Sequence, residues 1–413
     1  MKEKNLVLIT YEYPFKSKGK EYIFIKNDLK TLSDNFNRVI VVPVKNPKKK
    51  IFFKKYYDNI IYDFRLSKKI NNPINLFYYL FICLIDLNFY KEIFLSKTFN
   101  LKKLKNIFTE NIVSEITKKW LTKEYSEFDK NMFYSFWSNH VLLSFFKIKK
   151  RKTNFICFSR ALGSDLNGFY INDNFVPFIR NKFNKLNYIF ILNEGQRKIL
   201  TDNNLLKKEL IQKNYLGITK QTFYDFKRED NKIIFLSCGN LIENKNFAKM
   251  VEFIGSFSDK YKNKNVIFRI IGNGKEKRNL IKYKNSKNFC FDLEFIDKVD
   301  NLVDYLKKNR VDFYLNFSLK EGLSFALMEA ISCGIPPIVS NIPGNIEVVD
   351  NKNGYIISKD YSNISEIMDN INFDLNNYKA YIEKKKINFS IPENKLNIIQ
   401  LRNEFLTGLG KIS

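Results

Sequence analysis

Short apolar runs recur along the chain, each followed by a stretch with room for one helix. Leu6–Thr10, Val39–Val44, Phe133–Trp137, Asn154–Phe158 and Tyr188–Leu192 form one series. Ile233–Ser237, Asn265–Ile271, Asp312–Asn316 and Pro337–Ser340 form a second. Strands this continuously apolar belong in parallel sheets, whose two faces are both covered by helices. Helical spacing between them (Tyr22–Leu32, Phe247–Phe257, Ser324–Ser332) makes the repeating unit βαβ. At 413 residues two domains are expected, possibly three. The two series are separated by Tyr215–Ile218 and the charged stretch Asp225–Asn231, which reads as a linker. The prediction is an α/β chain of two doubly wound domains. Ligands of such sheets bind at the carboxyl ends of the strands, and a cleft between two domains is the natural site. Residues 45–75 read as lysine-rich and irregular. Residues 76–120 read as helical, and Pro392–Leu409 also has helical periodicity.

Charge narrows the partners. The net charge is +27. Residues 1–230 hold 43 basic and 22 acidic side chains, residues 231–413 only 27 and 21. An anionic partner is therefore expected on the first half. Lysine clusters at 48–50, 54–55, 102–105 and 149–152 alternate with aromatics. Nucleic acid, anionic lipid and a plain solvated face all fit that pattern. The longest apolar stretch, Leu76–Ile85, is far short of the ~18 residues of a spanning helix. It can lie in a headgroup plane, or form the core of the first domain. The run Leu6–Ile9 is too short for a signal peptide, so a cytoplasmic protein is expected. Five cysteines without a C-x-x-C pair read as buried thiols, and the single histidine, His140, leaves little room for a histidine metal site.

Two segments carry candidate chemistry. Glu321 and Glu329 stand eight residues apart, with Gly322 and Ser324 between them. Glu321 follows a buried strand, Ser324 can cap the next helix, and the amides there suit a diphosphate. Two solvated glutamates on a surface helix would have the same spacing, but Glu329 lies among Ala326, Leu327, Ala330 and Ile331, where an unpartnered charge is costly. In Ser237–Asn246 a glycine ends a strand and Lys245 waits before the next helix. Lys245 can reach an anion, or be a surface lysine on an ordinary loop. Gly272-Asn273-Gly274 is only part of a dinucleotide fingerprint, since Lys277 occupies the third glycine position. No D-x-D is present.

In order and spacing these segments resemble glycosyltransferase family 4, the retaining transferases of the GT-B fold, most strongly over residues 231–357. Gly239–Lys245 is similar to the family's G-R-L-x-x-x-K segment, Gly272-Asn273-Gly274 to its G-x-G turn and Glu321–Glu329 to its E-x7-E motif. Pro343–Val349 resembles the family's next loop, and Asn353-Gly354-Tyr355 its N-G-hydrophobic close. In the first half Glu12-Tyr13-Pro14 with Gly19-Lys20-Glu21 resembles E-x-P and G-x-E, and Arg160–Asp165 resembles R-x-H-G-x-D of surface-polysaccharide members.

The resemblance implies two Rossmann-like domains facing a central cleft, at residues 1–222 for the acceptor and 223–388 for the donor, with a final helix at 389–413 crossing back to the first. It implies roles too. Glu329 would hold the ribose and Glu321 a donor-sugar hydroxyl. Lys245, catalytic with Glu321, and the amides of Gly322, Leu323 and Ser324 would carry the diphosphate, approached by Gly19, while Gly239, Asn240, Gly272 and Gly274 would also bind the donor. Lys20, Glu21, Arg160, Leu162 and Asp165 would lie on the acceptor side. The implied reaction takes a UDP- or GDP-sugar, with no cofactor and no metal, to a lipid-linked or growing surface glycan at the inner face of the membrane. Two residues depart from the pattern: Asn240 replaces an arginine and Leu162 a histidine. These departures leave room for a non-catalytic partner of the same fold, or for Lys20 as a substitute donor.

Overall fold

The computed structural model describes residues 4–15, 21–45, 57–95, 100–163, 165–166, 176–216, 218 and 231–371. The chain divides into two compact units, residues 1–217 with 391–413 and residues 218–390. The expected linker at 225–231, except Asn231, and the expected final helix lie outside the described residues, as do Gly19 and Lys20.

In the first unit seven strands are β1 (Asn5–Thr10), β2 (Val39–Pro43), β3 (Ile60–Tyr62), β4 (Asn131–Ser135), β5 (Ile156–Arg160), β6 (Tyr188–Ile191) and β7 (Ile211–Lys213). Its helices are α1 (Glu21–Asn35), α2 (Arg65–Ile70), α3 (Pro73–Leu84), α4 (Leu87–Leu95), α5 (Leu101–Glu124), α6 (His140–Lys149), α7 (Ile179–Phe183) and α8 (Glu194–Asp202). The sheet order is β3-β2-β1-β4-β5-β6-β7, parallel throughout. Leu8 pairs with Val41 on one side and Tyr134 on the other. All of β1 but its first residue is buried, as a central strand covered on both faces must be. Aromatic rings fill the layers: Phe133 stacks on Phe155 at 4.4 Å between centroids, and Tyr134 on Phe158 at 4.6 Å.

The second unit holds β8 (Lys232–Cys238), β9 (Asn265–Ile271), β10 (Asp292–Ile296), β11 (Phe313–Asn316), β12 (Pro337–Ser340) and β13 (Tyr355–Ile357). Between them run α9 (Phe247–Lys260), α10 (Lys277–Ser286), α11 (Leu302–Leu306), α12 (Phe325–Ser332), α13 (Pro343–Ile346) and, last, α14 (Ile364–Asn370). The order is β10-β9-β8-β11-β12-β13, again all parallel. Phe235, Phe253, Phe257 and Phe313 lie at its centre. In each sheet the winding reverses once, between β1 and β4 and between β8 and β11. Such a reversal opens a crevice at the carboxyl ends of two neighbouring strands.

Three expectations change. Residues 45–75 are not irregular throughout: Ile60–Tyr62 adds an edge strand and α2 follows it. A three-residue strand is too short to show alternation, and α2 begins where Asp63 accepts the Arg65 amide at 3.0 Å. The helical stretch 76–120 is three helices starting at 73, 87 and 101. Asn72, Asp86 and Asn100 each accept the amide two residues on, at 2.9, 3.0 and 2.9 Å, the cap interaction that starts a helix. Finally, Cys290 is exposed and Cys238 half-buried; only Cys83, Cys157 and Cys333 are buried thiols. Cys290 precedes β10, an edge strand with an open side.

Candidate functional site

The reversal in the second sheet brings two loops together. One follows β8 and runs from Gly239 to Asn246. The other follows β11 and runs from Phe317 to Ser324. The Leu319 amide donates to the Asn244 carbonyl at 2.9 Å, and the Asn244 side chain donates to the Lys320 carbonyl at 2.9 Å. The loops are thus latched by one backbone bond and one neutral amide side chain, without a charged group.

Across that latch the Lys245 ammonium donates to the Glu321 carboxylate, with both side chains about a fifth exposed. The same carboxylate oxygen accepts the Ser318 hydroxyl at 3.0 Å. Ser318 in turn is held by Asn316: its amide is 3.2 Å and its hydroxyl 2.7 Å from the Asn316 side-chain oxygen. Asn345 closes the network. Its amide nitrogen donates to the carbonyls of Asn316 and Ser340, at 3.2 and 3.1 Å. This polar cluster ends β11 and β12, so Glu321 rests on groups that are themselves fixed.

Glycines make the close approaches. A Cβ on Gly344 would stand 2.4 Å from the Glu321 carbonyl oxygen, and one on Gly274 2.3 Å from that of Leu241. Gly272 has a φ of +136° and lies against the Gly239 carbonyl. Gly239, Gly272 and Gly274 therefore bring the ends of β8 and β9 together, with the Leu241 amide donating to the Asn273 carbonyl at 3.0 Å.

Ser324 is the N-cap of α12 and its hydroxyl accepts the Leu327 amide at 3.4 Å. Gly322 and Leu323 lead into that helix end, where the helix dipole favours an anion. Glu329 lies one turn further along and is half-buried. The Tyr314 hydroxyl is 3.5 Å from the Cys238 carbonyl. Its phenol is pushed well up, first by burial, then by Cys238, Glu321 and Glu329. Burial, with Glu329 beside it, also pushes the Cys333 thiol up to about 12. Asn240 is exposed on the loop. Sequence reasoning missed Tyr314, Ser318 and Asn345; the signal available was a cluster of polar residues at the ends of two apolar strands.

In the first unit the described residues of the acceptor-side set hold the protein together. Glu21, 5% exposed, accepts the amides of Tyr11, Glu12 and Tyr13 at 2.6–2.8 Å and the Trp137 indole at 2.7 Å. Arg160 is completely buried. It donates to the Tyr134 hydroxyl at 3.1 Å and the Asn214 carbonyl at 3.2 Å, and faces Asp28 at 3.4 Å. Asp165 accepts the amides of Leu162 and Ser138 at 2.9 and 3.0 Å, tying the loop after β5 to the loop after β4. Burial pushes its carboxyl up to about 7. Leu162 is buried. His140 starts α6 beside Tyr11, and its Nε2 is buried without a hydrogen-bond partner; burial lowers its pKa.

Comparison with known proteins supports the architecture. Residues 219–387 match the family profile of glycosyl transferases group 1. An O-antigen biosynthesis glycosyltransferase, WclY, of Escherichia coli is 26% identical over 187 residues, 45% of this chain and 48% of that protein. A UDP-Gal:alpha-D-GlcNAc-diphosphoundecaprenol alpha-1,3-galactosyltransferase of Escherichia coli is 30% identical over 143 residues, 34% of this chain and 36% of that one. The chain thus matches about half or less of the length of these curated relatives. Among solved structures, the apo lipopolysaccharide outer core galactosyltransferase WaaB superposes with a TM-score of 0.66 at 14% identity, over 98% of this chain and 99% of that one. This likeness shows the fold, two Rossmann-like domains of the GT-B class.

Proposed function

We propose, from the match of residues 219–387 to the glycosyl transferases group 1 profile, that this chain moves a sugar from a UDP-sugar to a lipid-linked or growing surface glycan at the cytoplasmic face of a membrane. The observation that carries the reading is the Lys245–Glu321 pair, set beside the capped start of α12 where the second sheet reverses.

A diphosphate leaving group needs positive charge where its own charge develops. Lys245 supplies a full charge, and the amino end of α12 supplies aligned dipoles. Together they make the step independent of a metal ion. Glu321, kept in place by Ser318, accepts a hydrogen bond from a donor-sugar hydroxyl and sets the ring against the diphosphate. Glu329, further along α12, takes the ribose hydroxyls. The anomeric configuration is retained. The relatives named for UDP-galactose transfer and for O-antigen synthesis support the choice of donor and acceptor class.

Asn240 and the buried Leu162 favour a second reading, a catalytically silent partner of an active transferase. Incubation with a panel of UDP-sugars separates the two. The transferase releases UDP from one donor at least, with turnover unchanged in EDTA. UDP release from none, with or without a membrane extract as acceptor, sinks the first reading. Turnover abolished by EDTA and restored by magnesium sinks its metal-independent part.

A further inference from the structure

Helix α3 is apolar on nearly every side, which is usual for a helix sunk in a core or in lipid, and α4 is apolar apart from Asn88, Lys91 and Glu92. Only one side of each meets the protein. Tyr79 and Cys83 of α3 are buried, as is Phe89 of α4, whose ring lies 4.5 Å from that of Phe108. On the opposite side Ile74, Phe77, Phe81 and Ile85, at helical spacing, form an exposed stripe. Past the bend Leu87 and Phe94 extend it, with the exposed Lys91 between them on the same face. Ile85, Leu87 and Phe94 are 80%, 83% and 84% exposed. A soluble surface seldom carries so many exposed apolar side chains together.

The two helices meet at 79°. With twelve and nine residues, they are about 18 and 14 Å long at 1.5 Å per residue. Among the described residues no single helix is long and apolar enough to cross a membrane. The elbow is suited to entering one leaflet, not to spanning two.

Its polar groups are arranged for that. Asp86, between Ile85 and Leu87, turns its carboxylate inward: one oxygen takes the Asn88 amide and side chain at 3.0 Å each, the other the Asn111 side chain at 3.2 Å. The Tyr90 hydroxyl donates at 2.6 Å to the Leu84 carbonyl at the end of α3. A helix-end carbonyl left open in hydrocarbon would be costly. Around the elbow, residues 65–105 hold eight lysines and arginines against two acids. Lys68, Lys69, Lys91 and Lys102 are exposed. An apolar edge rimmed by cations matches the profile of an anionic bilayer surface.

We propose that the α3–α4 elbow inserts into one leaflet of a bilayer with anionic headgroups, with Ile85 and Leu87 deepest. This rests on the first unit alone and stands whether or not the second transfers a sugar. The test is flotation of the full chain with phosphatidylcholine vesicles, with and without phosphatidylglycerol. The protein floats with the anionic vesicles at low salt, and binding falls as salt rises. The double variant Ile85→Asp, Leu87→Asp binds about tenfold less or weaker still, because it moves two charges into the apolar layer. Both side chains are exposed, so its circular dichroism and melting temperature stay as in the parent. As a second measurement, Leu87→Trp emission is quenched by brominated acyl chains. Wild type that stays soluble with anionic vesicles at low salt overturns the proposal. So does unchanged binding by the double variant. A dimer in solution that the double variant dissociates, without lipid binding, gives the face to a second copy of the chain and overturns it too.

Discussion

At the scale of single residues, Lys245 and Glu321 separate recognition from stability. Their pair lies near the surface, where such contacts contribute at most about 1 kcal/mol. Lys245→Ala and Glu321→Ala should therefore fold with nearly unchanged denaturant midpoints. On the proposed function each loses a charge-assisted contact to the donor, which costs about 1.5–3 kcal/mol. Turnover should fall roughly 10- to 200-fold. Calorimetric titration with UDP divides the loss: the lysine variant loses nucleotide affinity, and the glutamate variant loses turnover with UDP affinity kept. Unchanged affinity and turnover in both would falsify the site. Asp165 behaves differently, because its carboxyl is raised from 3.8 to about 7 by burial. Below pH 4 it is protonated in folded and unfolded chain alike, and its contribution to stability is fully present. As pH rises from 4 to 7 the unfolded chain releases the proton more readily, so that contribution is lost and levels off above 7. Asp165→Asn keeps an acceptor for the Leu162 and Ser138 amides and removes this slope. Chemical denaturation of the two proteins between pH 4.5 and 8 measures the difference.

At the scale of elements, what could be read in advance was what burial imposes on sequence. Central strands such as Leu6–Thr10 and Ile233–Ser237 are continuously apolar because helices cover both faces, and Ser324 announced the start of α12. Strand β10 gave no such signal. It is an edge strand with every residue at least partly exposed, so neither alternation nor an apolar run marks it. The glycines of the site were legible as turns but not as contacts, because the carbonyls of Glu321, Leu241 and Gly239 that they accommodate come from other loops. Gly344→Ala tests that packing. A methyl group 2.4 Å from the Glu321 carbonyl and 2.8 Å from that of Gly322 must move backbone. Overpacking of this kind typically costs about 1–3 kcal/mol. The variant should melt lower and bind UDP more weakly, although residue 344 need never touch the nucleotide. Scanning calorimetry with and without UDP reads both effects, and equal melting temperatures for variant and parent would contradict it.

At the scale of the whole molecule, one winding pattern is used twice and the polar groups at the two reversals are arranged differently. At the reversal of the second sheet, the loops after β8 and β11 carry an ion pair about a fifth exposed and a capped helix start. At the reversal of the first, the described carboxylates and the Arg160 guanidinium are taken up by amides, carbonyls and hydroxyls of the protein. UDP should accordingly slow hydrogen exchange at residues 239–246 and 318–330 and leave β1–β7 unchanged; protection spread evenly over both sheets would argue against that division. The family reading was accessible in the order of motifs over the second unit, where function fixes spacing. In the first unit the exposed apolar side chains of α3 and α4, not an order of motifs, prompt the proposal made for it. Its Glu21 carboxylate, which gathers three loop amides and the Trp137 indole, has one more consequence. The chain has two tryptophans, and Trp120 is buried on α5. Trp120 should fluoresce toward the blue and stay constant, while Trp137 reports whether the loop at residues 11–13 is docked. The protein thus carries its own optical gauge of that loop, readable without a label, and Glu21→Gln, which weakens the grip on the indole, should shift the red component alone.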